Sequence, residues 1–217
     1  LIPGIDDGAK TMDHSLGMVN RFIDLGYTKL ITTPHVMSDL YRNTPEIILA
    51  GLEDLRKAVS DAGLPIQIYA AAEYYFDEQL FHKIDEGNLL TFGDNCVLFE
   101  FAFNQEPVRV DELIFSLQSK GYQPVLAHFE RYVYYDNIKP AEELRDRGVK
   151  IQMNLNSLTG HYGAPIQKQA ERLVDAGIVD LASSDCHRIE HLEILEKNLS
   201  KKYFHKLLDL DLMNYKL

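Results

Sequence analysis

Apolar and polar positions along this 217-residue chain follow two alternating rhythms. Short apolar runs, rich in β-branched residues, occupy 28–33, 66–72, 97–101, 124–128, 149–155 and 178–184. Their length and composition predict strands. Between them, apolar residues recur three or four apart and predict helices. Met12, Leu16, Val19 and Ile23 mark one such face, which stops at Gly26. Thr44 caps the next helix, with Pro45 in its first turn and Ile48, Leu52, Leu55 and Val59 along its face up to Gly63. The spacing returns in Val110, Leu113, Ile114 and Leu117 before Gly121, and in a shorter helix bracketed by Pro140, Leu144 and Gly148. It returns again in Ile166, Ala170, Leu173 and Val174 before Gly177, and in Leu192, Leu195 and Leu199. Residues 203–212 read as a short C-terminal extension. Strands and helices in alternation predict a mostly parallel α/β sheet. Six strands rarely close a sheet on themselves, and the helix after Asp7 needs a strand before it in any βα unit. A first strand upstream of Leu1 is therefore expected, bringing the total to seven.

The ends of the apolar runs carry the chemistry. Leu30-Ile31-Thr32-Thr33-Pro34 leads into His35, and Ile66 to Ala72 leads into Glu73. Val97-Leu98-Phe99 leads into Glu100, Val125-Leu126-Ala127 into His128, and the run 178–184 into Asp185-Cys186-His187. Alternation along a strand points Asp185 and His187 the same way. Parallel strands in a barrel gather their C-terminal ends on one face, where active sites of such barrels lie. Carboxylates and imidazoles converging there repel or stay unsatisfied unless a cation joins them. A mixed nitrogen and oxygen donor set with no thiolate pair suits Mn, Fe or Zn. A bridging carboxylate permits two or more ions about 3.5–4 Å apart, a spacing used for phosphoryl displacement.

Composition narrows the classes further. The chain is 46% apolar and 25% charged, ordinary for a globular domain, and no linker or repeat divides it, so residues 1–217 are expected to form one domain. A formal charge of −11 disfavours an extended contact with nucleic acid. No apolar run approaches the roughly 20 residues of a membrane span, and no signal-peptide pattern is present. Cys96 and Cys186 are the only cysteines and form no CxxC pair, which fits a reduced, cytoplasmic setting.

These residues resemble a known family. Pro34-His35, Glu73, Glu100, the run His128-Phe129-Glu130-Arg131-Tyr132 and Ser184-Asp185-Cys186-His187 are similar to the PHP (polymerase and histidinol phosphatase) superfamily. With Pro3-Gly4-Ile5-Asp6-Asp7-Gly8-Ala9 added, the chain more closely resembles bacterial metal-dependent tyrosine-protein phosphatases of capsule and exopolysaccharide clusters. The resemblance implies a distorted, TIM-like (β/α)7 barrel and a centre of up to three divalent ions, Mn foremost, with Fe, Zn or Co as alternatives. In that family a His-x-His pair on the first strand precedes the segment with which this chain begins. One ion would use that pair with Glu73 and Asp185. A second would share Glu73 and add Glu100 and His128, and a third would use Asp7, His35 and His187. A hydroxide bridging the ions would attack phosphorus in line, which makes Glu73 and Asp185 catalytic as well as metal-binding, with Arg131 as the third catalytic residue. Arg131 matches the family's phosphate-binding arginine, a role its planar fork suits; the plainer alternative is an ion pair with Glu130 or Asp136. The implied partner is the phosphotyrosine tail of a kinase that regulates polysaccharide synthesis or export.

One departure concerns a second phosphate-binding arginine, found in related enzymes some way past the Asp-x-His motif. Here only Arg188 is near, adjacent to His187, and it is the candidate for binding substrate in that place. Asp6 reads as a turn former beside Asp7. Tyr132, Tyr134 and Tyr135, with Tyr74, Tyr75 and Phe76, form aromatic clusters that either pack or line a rim; Tyr132 is the candidate for stacking on a phosphotyrosine ring. His14, His82, His161 and His205 are expected at the surface, and His191 on a helix face. A small-molecule phosphatase similar to histidinol phosphatase and a non-catalytic metal-binding scaffold are the rival readings. An amidohydrolase is a further one, opposed by Glu100 standing where that class carries a lysine.

Overall fold

The computed structural model describes residues 1–217. Eight helices and eight short strands alternate along it. The helices are α1 (Met12–Asp24), α2 (Pro45–Asp61), α3 (Glu78–Glu86), α4 (Val110–Ser119), α5 (Lys139–Asp146), α6 (Ala164–Ala176), α7 (Ile189–Asn198) and α8 (Lys202–Leu208). The strands are β1 (Lys29–Thr32), β2 (His35–Val36), β3 (Gln67–Ala70), β4 (Glu73–Tyr75), β5 (Cys96–Glu100), β6 (Gln123–Leu126), β7 (Lys150–Asn154) and β8 (Leu181–Ser183).

Every pairing between these strands is parallel. β1 pairs with β3, and the main sheet runs β2-β4-β5-β6-β7-β8. β1 and β2 are one chain path broken at Thr33-Pro34, and β3 and β4 are another broken at Ala71-Ala72. Proline has no N–H to give a ladder. The bonds nevertheless continue through the break, with Ala71 N–H donating to Thr32 O at 2.9 Å and Glu73 N–H to Pro34 O at 3.0 Å. β8 and β1 do not pair, so the sheet curls into an open half-barrel. On the exposed edge of β8, the Asn214 side chain accepts from Ala182 N–H and donates to Ala182 O, satisfying part of that edge.

The helices pack where their apolar stripes require. Thr44 accepts from Ile47 N–H at the start of α2, and Ile48, Leu52, Leu55 and Val59 are all buried. In α1 the fully buried face is Ser15, Met18, Val19 and Phe22, rotated slightly from the expected Met12–Ile23 stripe, whose outer members are only partly covered. Helix α3 was not expected from periodicity. It is bounded by Asp77, whose carboxylate accepts from Leu80 N–H at 3.1 Å, and by left-handed Gly87. The extension 203–212 is largely helical, with Phe204, Leu207 and Leu212 in the main core. No helix is long and apolar enough to cross a membrane.

Candidate metal centre

The parallel register brings the expected residues to one rim. His35 stands opposite Glu73 in the β2–β4 ladder, and Tyr75 opposite Glu100 in β4–β5. His128 and Asp185 stand two residues past the ends of β6 and β8, and both take left-handed backbone conformations, with φ of 34° and 46°. Such a conformation is costly for a residue with a side chain and is held only where surrounding bonds fix it. The fixing bonds are visible. His128 N–H donates to Gln152 Oε1 at 2.6 Å, and Asp185 Oδ2 accepts from Asn154 Nδ2 at 2.6 Å and Arg131 Nη1 at 3.1 Å.

Within the rim, His128 Nε2 lies 2.9 Å from Glu73 Oε1 and 3.5 Å from Glu100 Oε2. His35 Nδ1 lies 3.3 Å from Glu100 Oε1, and its Nε2 lies 3.6 Å from Asp7 Oδ1. His187 Nε2 lies 3.4 Å from the same Asp7 oxygen. Two sets of donors come within 4.8 Å of one another, Asp7 with His35 and His187, and His35 with Glu73 and Glu100. The first is the trio that the resemblance implies for one ion. The second differs from the implied trio, because His35 reaches Glu100 and serves both sets, while His128 sits against the two carboxylates. Asp185 joins neither set; its carboxylate holds Arg131 and Asn154.

The protonation tendencies are those of a site that compensates its charge with protons. Burial pushes Glu73 up. Burial also opposes charge on Glu100, yet the neighbouring His128 and His35 imidazoles win and hold it down at about 2. Burial alone would keep the two imidazoles neutral, but the carboxylates raise His128 to about 10 and His35 to about 9. The hydrogen bond between Asp7 and His187 lowers the acid to about 2 and lifts the base to about 9. A cation is the other way to meet this charge, and one observation favours it: the buried Nδ1 of His35 faces Glu100 at 3.3 Å without making a hydrogen bond, and the buried Nδ1 of His128 has no partner either. The donors fit a divalent metal.

Arg131 lies at the mouth, its guanidinium carbon 4.5 Å from the centre of the Phe103 ring and 4.8 Å from that of Tyr162. Its turn is anchored by Glu130, which is 1% exposed and accepts from Asn154 N–H and the Ser157 hydroxyl. Burial raises Glu130 above the usual carboxylate range. The expected stacking role of Tyr132 does not hold. Its ring is 0% exposed, and its hydroxyl accepts from Phe101 N–H at 3.0 Å, so it is a floor beneath the site and cannot meet a substrate ring. Tyr74 is likewise buried, its hydroxyl accepting from Leu90 N–H. Arg188 is exposed and donates to His191 Nε2 at 3.2 Å, while His191 itself is buried. Gln152, Asn154, Phe103 and Tyr162 were not singled out from the sequence. The alternating polar positions of Gln152 and Asn154 on β7 were the available signal, since a polar side chain inside a barrel needs a partner there.

Fold and donor set together define a metal-binding α/β half-barrel with a guanidinium at its mouth. The chain belongs to the family described as capsular polysaccharide synthesis, CpsB/CapC, which residues 1–210 match. It is 28% identical over 212 residues to the tyrosine-protein phosphatase YwqE of Bacillus subtilis (strain 168), covering 93% of this chain and 84% of that one. To the putative tyrosine-protein phosphatase CapC of Staphylococcus aureus it is 26% identical, covering 92% and 79%. A solved structure from work on YwqE of Bacillus subtilis and CpsB of Streptococcus pneumoniae, described as unique metal-dependent tyrosine phosphatases, superposes with a TM-score of 0.82. That match is at 27% identity and covers 96% of this chain and 88% of the other.

Proposed function

We propose that this chain is a metal-dependent phosphomonoesterase that removes phosphate from protein phosphotyrosine. The carrying observation is that two donor sets share His35 and that Arg131 reaches Asp185, beside His187, in a chain whose named relatives are tyrosine-protein phosphatases. Asp7, His35, Glu73, Glu100, His128, Asp185 and His187 would hold up to three divalent ions, with Mn foremost and Fe, Zn or Co as alternatives. Bound metal supplies Lewis acidity and lowers the pKa of water enough to give a nucleophile at neutral pH. The chain's own residues do the rest. Arg131 offers paired N–H donors to phosphate oxygens and neutralises charge as it develops. Gln152 holds the backbone of His128 and Asn154 the carboxylate of Asp185, so the donors are positioned before substrate arrives.

The finer fold reading, a (β/α)7 barrel of the PHP type formed as one domain over 1–217, belongs to the same proposal. It is supported by six strand paths in barrel order and by a cavity of about 850 Å³ lined by both unpaired edges, β1 and β8. A kinase of polysaccharide synthesis or export is the proposed phosphotyrosine source, in keeping with the family's description, and the cytoplasm is the proposed setting.

The test is turnover of a phosphotyrosine peptide after chelation and after return of single metals. Activity that disappears with chelator and returns with Mn supports the reading; activity indifferent to chelation defeats it. Histidinol phosphate as a rival substrate, turned over faster than the peptide, would move the assignment to a small-molecule phosphatase.

A further inference from the structure

The site's mouth carries an aromatic residue that the proposed chemistry leaves unused. Phe103 stands on the loop between β5 and α4 and is 41% exposed. Its ring is nevertheless held in place. It stacks on buried Tyr132 with centroids 5.8 Å apart and planes within 27°, and it lies 5.3 Å from the His128 ring. Tyr132 is in turn pinned to the backbone of Phe101. Across the guanidinium of Arg131, Tyr162 supplies the second ring. Arg131 is therefore held by two aromatic rings and by its bond to Asp185, which together keep its planar fork aimed.

From this placement we propose that Phe103 is a specificity-determining residue that receives the aryl group of an aryl phosphate, and that Tyr162 is a positioning residue that aims Arg131. The proposal rests on the phosphatase reading and deepens it. A phosphate held by Arg131 beside His128 directs its ester oxygen outward along the Phe103 side of the mouth. An aromatic ring one oxygen from phosphorus meets that face and gains an offset or edge contact. A phosphoserine offers only a single methylene there and then its own backbone, so it gains nothing from the ring. Selectivity for an aryl ester thus comes from an exposed ring on a rigid floor, whereas the buried tyrosine cluster only supports it.

The two roles separate in kinetics on the metal-loaded protein, using a phosphotyrosine peptide and a phosphoserine peptide of one sequence. Phe103→Leu is expected to lower kcat/KM for the phosphotyrosine peptide by about threefold to tenfold, mainly through KM. The phosphoserine value falls less, by what the loss of one face against Arg131 costs, so the ratio of the two drops, and Phe103→Tyr retains the wild-type ratio. Competition gives a second readout, with phenylphosphonate losing more affinity than methylphosphonate in Phe103→Leu. Tyr162→Leu is expected to raise KM for both peptides equally, with rescue by Tyr162→Phe. Equal losses on both peptides in Phe103→Leu, or an unchanged ratio, overturn the aryl role while an active wild type leaves the phosphatase reading standing. A metal-loaded wild type that hydrolyses neither peptide overturns the phosphatase reading first and this proposal with it.

Discussion

At the scale of single residues, the proposed function gives Glu73 and Arg131 different work, the one holding cations and the other substrate. Glu73 is almost fully buried and bonded to His128, so its charge has meaning only with a positive partner in place. Glu73→Gln keeps the shape and removes the charge. It is expected to lower bound metal, measured by elemental analysis, and to cut turnover by more than about a hundredfold, since even outer partners of a metal site cost up to that much. Wild-type metal content in this variant would remove Glu73 from the site. Arg131→Ala is expected to keep its metal and its fold but lose about a hundredfold in kcat/KM. Loss of metal there would mean that the bond from Arg131 to Asp185 serves the donors rather than the substrate.

At the scale of elements, the short caps matter more than their length suggests. Asp77 caps α3 through Leu80 N–H, and its other oxygen accepts from Ser38 N–H at 3.3 Å. The loop after β2 is thereby tied to α3, and that loop carries Tyr41, which stacks on His35 at 5.7 Å. Asp77→Ala is expected to cost about 1 kcal/mol, read from denaturant unfolding, with metal content intact. Unchanged stability would show the cap to be idle. The contrast between this helix and its neighbours shows what sequence could tell. α2 has four buried apolar residues at regular spacing and was plain, whereas α3 buries only Leu80 and Ile84 in nine residues, too few to establish a period. The strand-end residues His35, Glu73, Glu100, His128, Asp185 and His187 were legible for one reason: parallel strands carry their ends to a common rim whatever the register. Which donors share an ion depends on register and rotamer, and there the sequence was silent; His35 beside Glu100 is an outcome of packing. Phe103 and Tyr162 lie on loops, where no period marks a residue as inward or outward. The place of Tyr132 is not legible, because an aromatic next to an arginine looks the same in sequence whether it packs beneath the site or lines it.

At the scale of the whole molecule, pH sets protons against metal. In the metal-free protein His35, His128 and His187 stand at about 9, 10 and 9, against 6.5 for an unperturbed histidine. Raised bases stabilise the fold fully below 6.5, and that contribution is lost as pH climbs through 9 to 10. Asp7 and Glu100, both held at about 2, stabilise above the ordinary carboxylate range and lose that contribution as pH falls through 2. Chelated protein is therefore expected to melt at lower temperature at pH 9.5 than at pH 6. Metal must displace the imidazole protons, so metal affinity is expected to rise over the same interval, with proton release visible in unbuffered titration. A chelated protein whose Tm rises from pH 6 to 9.5 would contradict the assigned protonation.

The buried floor of the site has an optical consequence. The chain contains 12 tyrosines and no tryptophan, so its ultraviolet emission comes from tyrosine alone. Tyr132 lies 5.6 Å from the ring of His128 and shares stacking contacts with Phe103 and Tyr134. A paramagnetic ion taken up by the donors above would sit close to this fluorophore and quench it, whereas Zn, with its filled d shell, would leave it bright. The protein thus carries its own reporter, able to follow loading and to tell one cation from another by intensity and lifetime without any label.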